Sequence, residues 1–265
     1  MNPAPNYKCQ RGFTLIELLV ALGIFLLVTG AAFTLLGSSQ SRYQTESQVL
    51  SSFQEARLAL DQMVRDVNDA GYPPPTFAGT DPTKFASTPF AWSPGYTVPT
   101  ACTIEGSCTT PGDFGIIIET NPTPQDPTSQ VQWIGYQLQG TTLMRGAALK
   151  QVSHDPAMDT AALFVPLVQN VVNNSSPAQI AQYQASYPGM FPSGNPVPIF
   201  SYICDNSSPP PATLRCPGAG VDNSPANVRD VIITLIVATP VADATTGQPR
   251  LVQLTGRGRR INPNQ

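Results

Sequence analysis

The stretch CQRGFTLIELLVALGIFLLVTGAAF, Cys9–Phe33, decides how the rest of the chain is read. From Phe13 to Leu36 the only charged residue is Glu17. As a helix this run spans roughly 36 Å, enough to cross a bilayer. A carboxylate deep in that layer costs about 2.5–3.5 kcal/mol if it has no partner. Glu17 therefore needs a reason to be there.

The residues before the run carry Lys8 and Arg11 and no acid, and the first charges after it are Arg42 and Glu46. The positive-inside bias puts the N-terminus in the cytoplasm and everything beyond the run on the far side. A secretory signal would place a small-residue cleavage site after the run, and TGAA (Thr29–Ala32) has that composition. The length of the run and Glu17 inside it argue against that reading. A plain membrane anchor leaves Glu17 unexplained. A third reading cuts the chain before the run, between Gly12 and Phe13.

RGFTLIELLVAL (Arg11–Leu22) carries that third reading, because it resembles the cleavage and methylation motif of type IV prepilins and type II secretion pseudopilins. The resemblance implies that a membrane-embedded prepilin peptidase cuts after Gly12 and methylates the new N-terminal Phe13. The apolar segment then stays on the mature protein as the start of a long helix, with Glu17 as its fifth residue. The cut places an amine about one helical turn ahead of Glu17. An ammonium and a carboxylate attract far more strongly in a low-dielectric layer than in water. In the family the partner amine is taken to belong to a neighbouring subunit, which sets assembly register. A carboxylate also sits well at its own helix N-terminus. The sequence leaves the two pairings open.

Beyond Leu36 the chain turns polar without breaking. Val49, Phe53, Ala56, Leu60, Met63/Val64, Val67 and Ala70 recur at steps of three and four, which predicts one apolar stripe on a helix. Gly71 and the prolines after Tyr72 stop it. The expected helix runs from about Thr14 to Ala70, roughly 85 Å long. Gly23, Gly30 and Gly37 fall near one face, where they suit close helix–helix approach, local softening, or simply the composition of membrane helices.

With 28 prolines and only 12% charged residues, the remaining chain is expected to have long loops and little further helix. FGIIIET (Phe114–Thr120), a hairpin over Gln130–Gly146, VPIFSYIC (Val197–Cys204), VRDVIITLIVATP (Val228–Pro240) and PRLVQLTGRGRR (Pro249–Arg260) read as strands, the last two paired through VADATTGQ. Ala162–Val172 and Ala178–Ser186 are ambiguous between helix and strand. The expected fold is α+β and pilin-like: a long N-terminal helix packed on one antiparallel sheet with long Pro-rich loops. Its divisions are a leader over 1–12, a transmembrane and filament-core half over 13–37, an amphipathic half over 38–72, and a β-rich head over 73–265. QEARLALDQMVRDVNDAGY (Gln54–Tyr72), the hairpin ending in LMRG, and the strand around PIFSYICD most resemble the W-type minor pilins and the related J-type pseudopilins.

Apart from Cys9, the cysteines form two local pairs, Cys102/Cys108 and Cys204/Cys216, which suggests two disulfides in an oxidising compartment. Their spacings do not match a zinc site. No constellation for catalysis stands out. His154, the one histidine, reads as a solvated loop residue, and Asp126, Asp159, Asp205 and Asp222 read as loop turn chemistry without EF-hand spacing. No enzyme activity, cofactor or metal is expected. Arg257, Arg259 and Arg260 could meet an anionic partner, an acidic neighbour before DNA, or protect an exposed edge strand. With a net charge of −3, nucleic acid is not the expected partner.

The expected function is that of a minor pilin, a structural subunit that is cleaved, N-methylated and helps initiate or cap a type IV pilus. The alternatives are a type II secretion pseudopilin and a ligand- or DNA-binding pilus-tip module. The resemblance implies prepilin peptidase, other minor and major pilins or pseudopilins, and the inner-membrane assembly platform as partners. It places the chain in the bacterial inner membrane as a single-pass protein with a periplasmic head, and then in a pilus or pseudopilus.

Overall fold

A computed structural model of the chain describes residues 12–78, 80–91, 112–123, 125–126, 128–152, 154–192, 194–204, 214–216, 225–243 and 246–261. The chain divides into two units, Met1–Ser47 and Gln48–Gln265, and one helix, α1 (Leu15–Asn68), contributes to both. No proline interrupts α1, and it stops where Gly71 takes a left-handed conformation with φ +82°. In the first unit its large apolar side chains, Leu15 to Leu36, are exposed. This part is long and apolar enough to cross a membrane.

In the second unit α1 buries Ala56, Ala59, Leu60, Met63 and Val67, a stripe at helical spacing, and Ala70 just beyond its end adds to it. The strands are β1 (Phe90–Ala91), β2 (Gly115–Thr120), β3 (Gln132–Gln139), β4 (Thr142–Leu149), β5 (Val165–Val168), β6 (Phe200–Cys204), β7 (Leu214–Cys216), β8 (Val228–Ala238) and β9 (Leu251–Arg259). Among the described residues three short α-helices intervene: α2 (Pro75–Ala78), α3 (Pro156–Ala161) and α4 (Pro177–Ser186). All strand pairs are antiparallel, so the fold is α+β with a long N-terminal helix, consistent with a pilin-like architecture. The β3–β4 hairpin turns through Gly140, at φ +59°, and Thr141, a two-residue loop.

The single expected sheet is instead two, ordered β1-β2-β3-β4-β5 and β7-β6-β8-β9. Their junction explains the split. β6 pairs with β8 in regular register only as far as Phe200↔Ile233, and one further bond runs from the Thr234 amide to the Ile199 carbonyl at 2.8 Å before the strands part. The chain after β5 takes over the vacated edge: Val171 bridges Val237, and the Val172 amide donates to the Ile236 carbonyl at 2.9 Å. Fully buried Asn173 fills the gap between them. Its Nδ2 donates to the carbonyls of Val197 (3.0 Å) and Thr234 (2.8 Å), and its Oδ1 accepts from the Ile236 amide (2.8 Å). One side-chain amide thus satisfies three backbone groups where β6 and β8 part.

The main core lies between the α1 stripe and both sheets, with Ile116, Ile118, Tyr136, Phe200, Tyr202 and Val231 among its members. A second core forms where Ile180 and Tyr183 of α4, with Phe191 beyond its end, cover Ile236 and Leu251. Of the two ambiguous segments, one holds β5 and the other is α4. Ser176 and Gln179 decide the latter, since they form a reciprocal capping box with Pro177 at the first turn.

Candidate functional site

Thr14 caps α1. Its carbonyl accepts the first helical bond from Leu18 at 3.2 Å, and its hydroxyl accepts from the Glu17 amide at 3.3 Å. Glu17 answers three residues on: its Oε2 accepts from the Thr14 amide (2.9 Å) and the Thr14 hydroxyl (2.8 Å). This is a capping box, and it satisfies helix-end donors that would otherwise lack partners. The arrangement holds the Glu17 carboxylate on the amide of Thr14, the residue after Phe13, which is 90% exposed. The pattern Thr-x-x-Glu was available in the sequence as a capping signal, so Thr14 is the residue that the reading of Glu17 passed over. Gly23, Gly30 and Gly37 each have open space where a Cβ would point, so another helix meets no obstruction from this chain along that line.

In the second unit, Cys204 is buried and disulfide-bonded. The β6–β7 register sets Cys216 opposite Tyr202, two positions along from Cys204. Cys9, Cys102, Cys108, Asp205 and Asp222 lie outside the described residues. Arg257 is ion-paired across β8 to fully buried Asp230 (Nη2–Oδ2 2.7 Å), and that bond raises its pKa. Arg260 is 3% exposed, while Arg259 is exposed and its amide donates to Asn68 Oδ1 of α1 at 2.8 Å. The glycines between these arginines bring β9 onto α1: a Cβ at Gly258 would meet Val67 Cγ1 at 2.5 Å, and one at Gly256 Leu60 Cδ1 at 2.9 Å.

Asp126 makes the turn expected of it, accepting from the Thr128 amide (2.8 Å) and hydroxyl (2.6 Å), which lowers its pKa. Asp159 differs from expectation. It lies in α3, with its Oδ2 3.1 Å from His154 Nδ1, because Asp155 caps a helix that begins at Pro156. His154 is exposed. Among the described residues no group of three or more His, Cys, Asp and Glu side chains could hold a metal.

Two buried charged clusters were not anticipated. Asp66 of α1, 7% exposed, accepts from Tyr136 (2.5 Å), Arg145 (3.1 Å) and Gln62 (3.1 Å), joining the helix to β3 and β4. Burial, and next the Asp66 charge, push the Tyr136 phenol far up. Glu119 accepts from Trp133 Nε1 (2.9 Å), the Ser87 amide (2.7 Å) and Lys150 Nζ (3.1 Å), and Lys150 also donates to Ser87 Oγ (2.6 Å) and the Phe85 carbonyl (3.0 Å). Both clusters join separate elements of the head.

The family model for the prokaryotic N-terminal methylation motif matches residues 7–33. No curated protein and no solved structure matches the chain. The motif match supports a type IV prepilin-like protein that is a substrate of prepilin peptidase, and its position coincides with the Thr14–Glu17 cap and the exposed apolar part of α1.

Proposed function

We propose that the chain is a minor pilin: a structural subunit that prepilin peptidase cuts between Gly12 and Phe13 and methylates at Phe13, and that helps initiate or cap a type IV pilus. The observation that carries this reading is the Thr14–Glu17 cap at the head of an exposed apolar helix. Thr14 uses only Oε2 of Glu17, which leaves Oε1 to receive the ammonium that cleavage creates, whether its own or a neighbour's. Without that ammonium the carboxylate is a net charge in the membrane. With it, the pair sets where along the bundle the helix rests. The Gly23–Gly30–Gly37 line then allows close packing, and the head meets other minor and major pilins above the inner-membrane platform.

The orientation follows from Lys8 and Arg11: N-terminus in the cytoplasm and head in the periplasm, where a disulfide persists. We assign Cys216 as the partner of Cys204 because the two are close in sequence and lie on neighbouring strands, although the register sets Cys204 opposite Leu214. Mapping the peptides of the unreduced protein should recover Cys204 linked to Cys216, and a link from Cys204 to Cys102 or Cys108 would refute the assignment.

Deleting the gene tests the role. A minor pilin should leave far fewer pili per cell and be found in trace amounts in sheared filaments. Normal pili together with lost protein secretion would instead mark a type II pseudopilin.

A further inference from the structure

The direction of the backbone groups along β9 is set by its neighbours. The Arg260 amide donates to the Arg229 carbonyl, and the Thr239 amide donates to the Arg250 carbonyl. With the register Asp230↔Arg259 to Ala238↔Leu251, the even-numbered residues of β9 bond to β8 and the odd-numbered ones point away from it. The Thr234 amide, which donates to Ile199 on the other side of β8, agrees with this alternation. The amides and carbonyls of Gln253, Thr255 and Arg257 therefore face off the sheet, and all three residues are exposed. Arg259 is the next in the series, and Asn68 Oδ1 caps its amide.

Other sheet edges among the described strands are blunted. β1 has two residues and β7 three, and β5 carries Pro166 and a register shift opposite Leu143/Met144. β9 is nine residues long, pairs without a shift, and contains no proline. Arginines on an edge usually repel an incoming strand. Arg257, however, is drawn across the sheet face to Asp230 and away from the edge. At its far end β9 runs into an open basin of about 380 Å³ lined by Asn68, Arg229, Arg259, Arg260 and Ile261. Arg229 and Arg260 are engaged within the chain and form its wall, while Arg259 is exposed.

We propose that the free edge of β9 is a strand-addition site for an extended segment of another polypeptide that carries an acidic side chain where it passes Arg259. The outward groups of Gln253, Thr255 and Arg257 supply the main-chain ladder. Arg259 and the basin at its end select for negative charge, as paired backbone bonds give affinity and side-chain pockets give choice. The site is on the head, so it does not depend on how the N-terminus is processed.

The test is photo-crosslinking of the full chain in its own cells, with p-benzoylphenylalanine in place of Gln253 and mass spectrometry of the conjugate. The expected conjugate is to a segment of another protein with an acidic residue placed to meet Arg259. Its yield should fall at least tenfold with Thr255→Pro, which removes an outward amide that β8 does not use, and with Arg259→Glu. It should persist with Thr255→Val, which keeps the amide. If Thr255→Pro does not accumulate, the Arg259→Glu and Thr255→Val pair decides. Each of the following overturns the proposal: no conjugate, a conjugate to nucleic acid or lipid, a conjugate to a segment without acids, or a yield that these substitutions leave unchanged.

Discussion

Asp66 shows how much of the head depends on single buried charges. Three donors converge on its carboxylate from the helix itself, from β3 and from β4. Asp66→Ala would take the acceptor from Arg145 Nη2 and from the Tyr136 hydroxyl, while Arg145 Nε keeps its bond to Tyr136. With Arg145 26% exposed, the loss should fall below the ~3–5 kcal/mol of a fully buried pair. Urea unfolding of the detergent-solubilised chain should record that loss. Tyr136 and Tyr202 add a pH dependence, because burial is the leading cause that pushes both phenols up. The sign follows from linkage. Up to about pH 10, the usual tyrosine value, both states keep these protons and stability is unaffected. Above it the unfolded chain ionises first, so stability falls by about 1.4 kcal/mol per pH unit for each such tyrosine. Tyr202→Phe should flatten the alkaline side of the stability curve, read by denaturant melts at successive pH values. None of this was visible in the sequence. Asp66 sits between Arg65 and Val67 and reads as one more solvent-facing charge, and its partner Tyr136 is 70 positions away.

At the scale of elements, β8 and β9 were legible because their alternation is long and a turn-rich loop joins them. The α1 stripe was legible for the same reason at helical period. What periodicity could not reveal was competition for one edge. The expected strand Val197–Cys204 ran through Pro198, and nothing local says that it would begin only at Phe200, that the chain after β5 would take the edge of β8 beyond it, or that Asn173 would stitch the joint. The glycines of TGRGRR were also misleading, since the arginines drew attention while the glycines set the packing. Gly258→Ala tests this directly. Its Cβ would fall 2.5 Å from Val67 Cγ1 and 2.6 Å from Val67 Cβ. Overpacking of that kind costs about 1–3 kcal/mol. A lowered urea midpoint with an unchanged slope would bear this out, and a midpoint equal to that of the parent would mean that β9 does not rest on α1.

For the molecule as a whole, one helix combines an exposed apolar half with a half whose buried stripe belongs to the head. Water does not suit the first half and a bilayer does, so the exposed side chains from Phe13 to Leu36 describe a chain made for an apolar surrounding. Among the described residues the head supplies two sheets, three buried hydrophobic clusters and a disulfide-bonded Cys204, all of which suit a rigid body that others contact. The N-terminal site was legible in the sequence because its motif is short and local. The head's contacts were not, since they depend on which distant strands meet. The central claim concerns Phe13: that cleavage frees its amine beside a Glu17 carboxylate already oriented by Thr14. The mass of the mature N-terminal peptide, from cells with and without prepilin peptidase, tests it most directly. The expected result is a chain that begins at N-methylated Phe13 only when the peptidase is present. An N-terminus at Met1 in both strains, or one near Ala32, would contradict it.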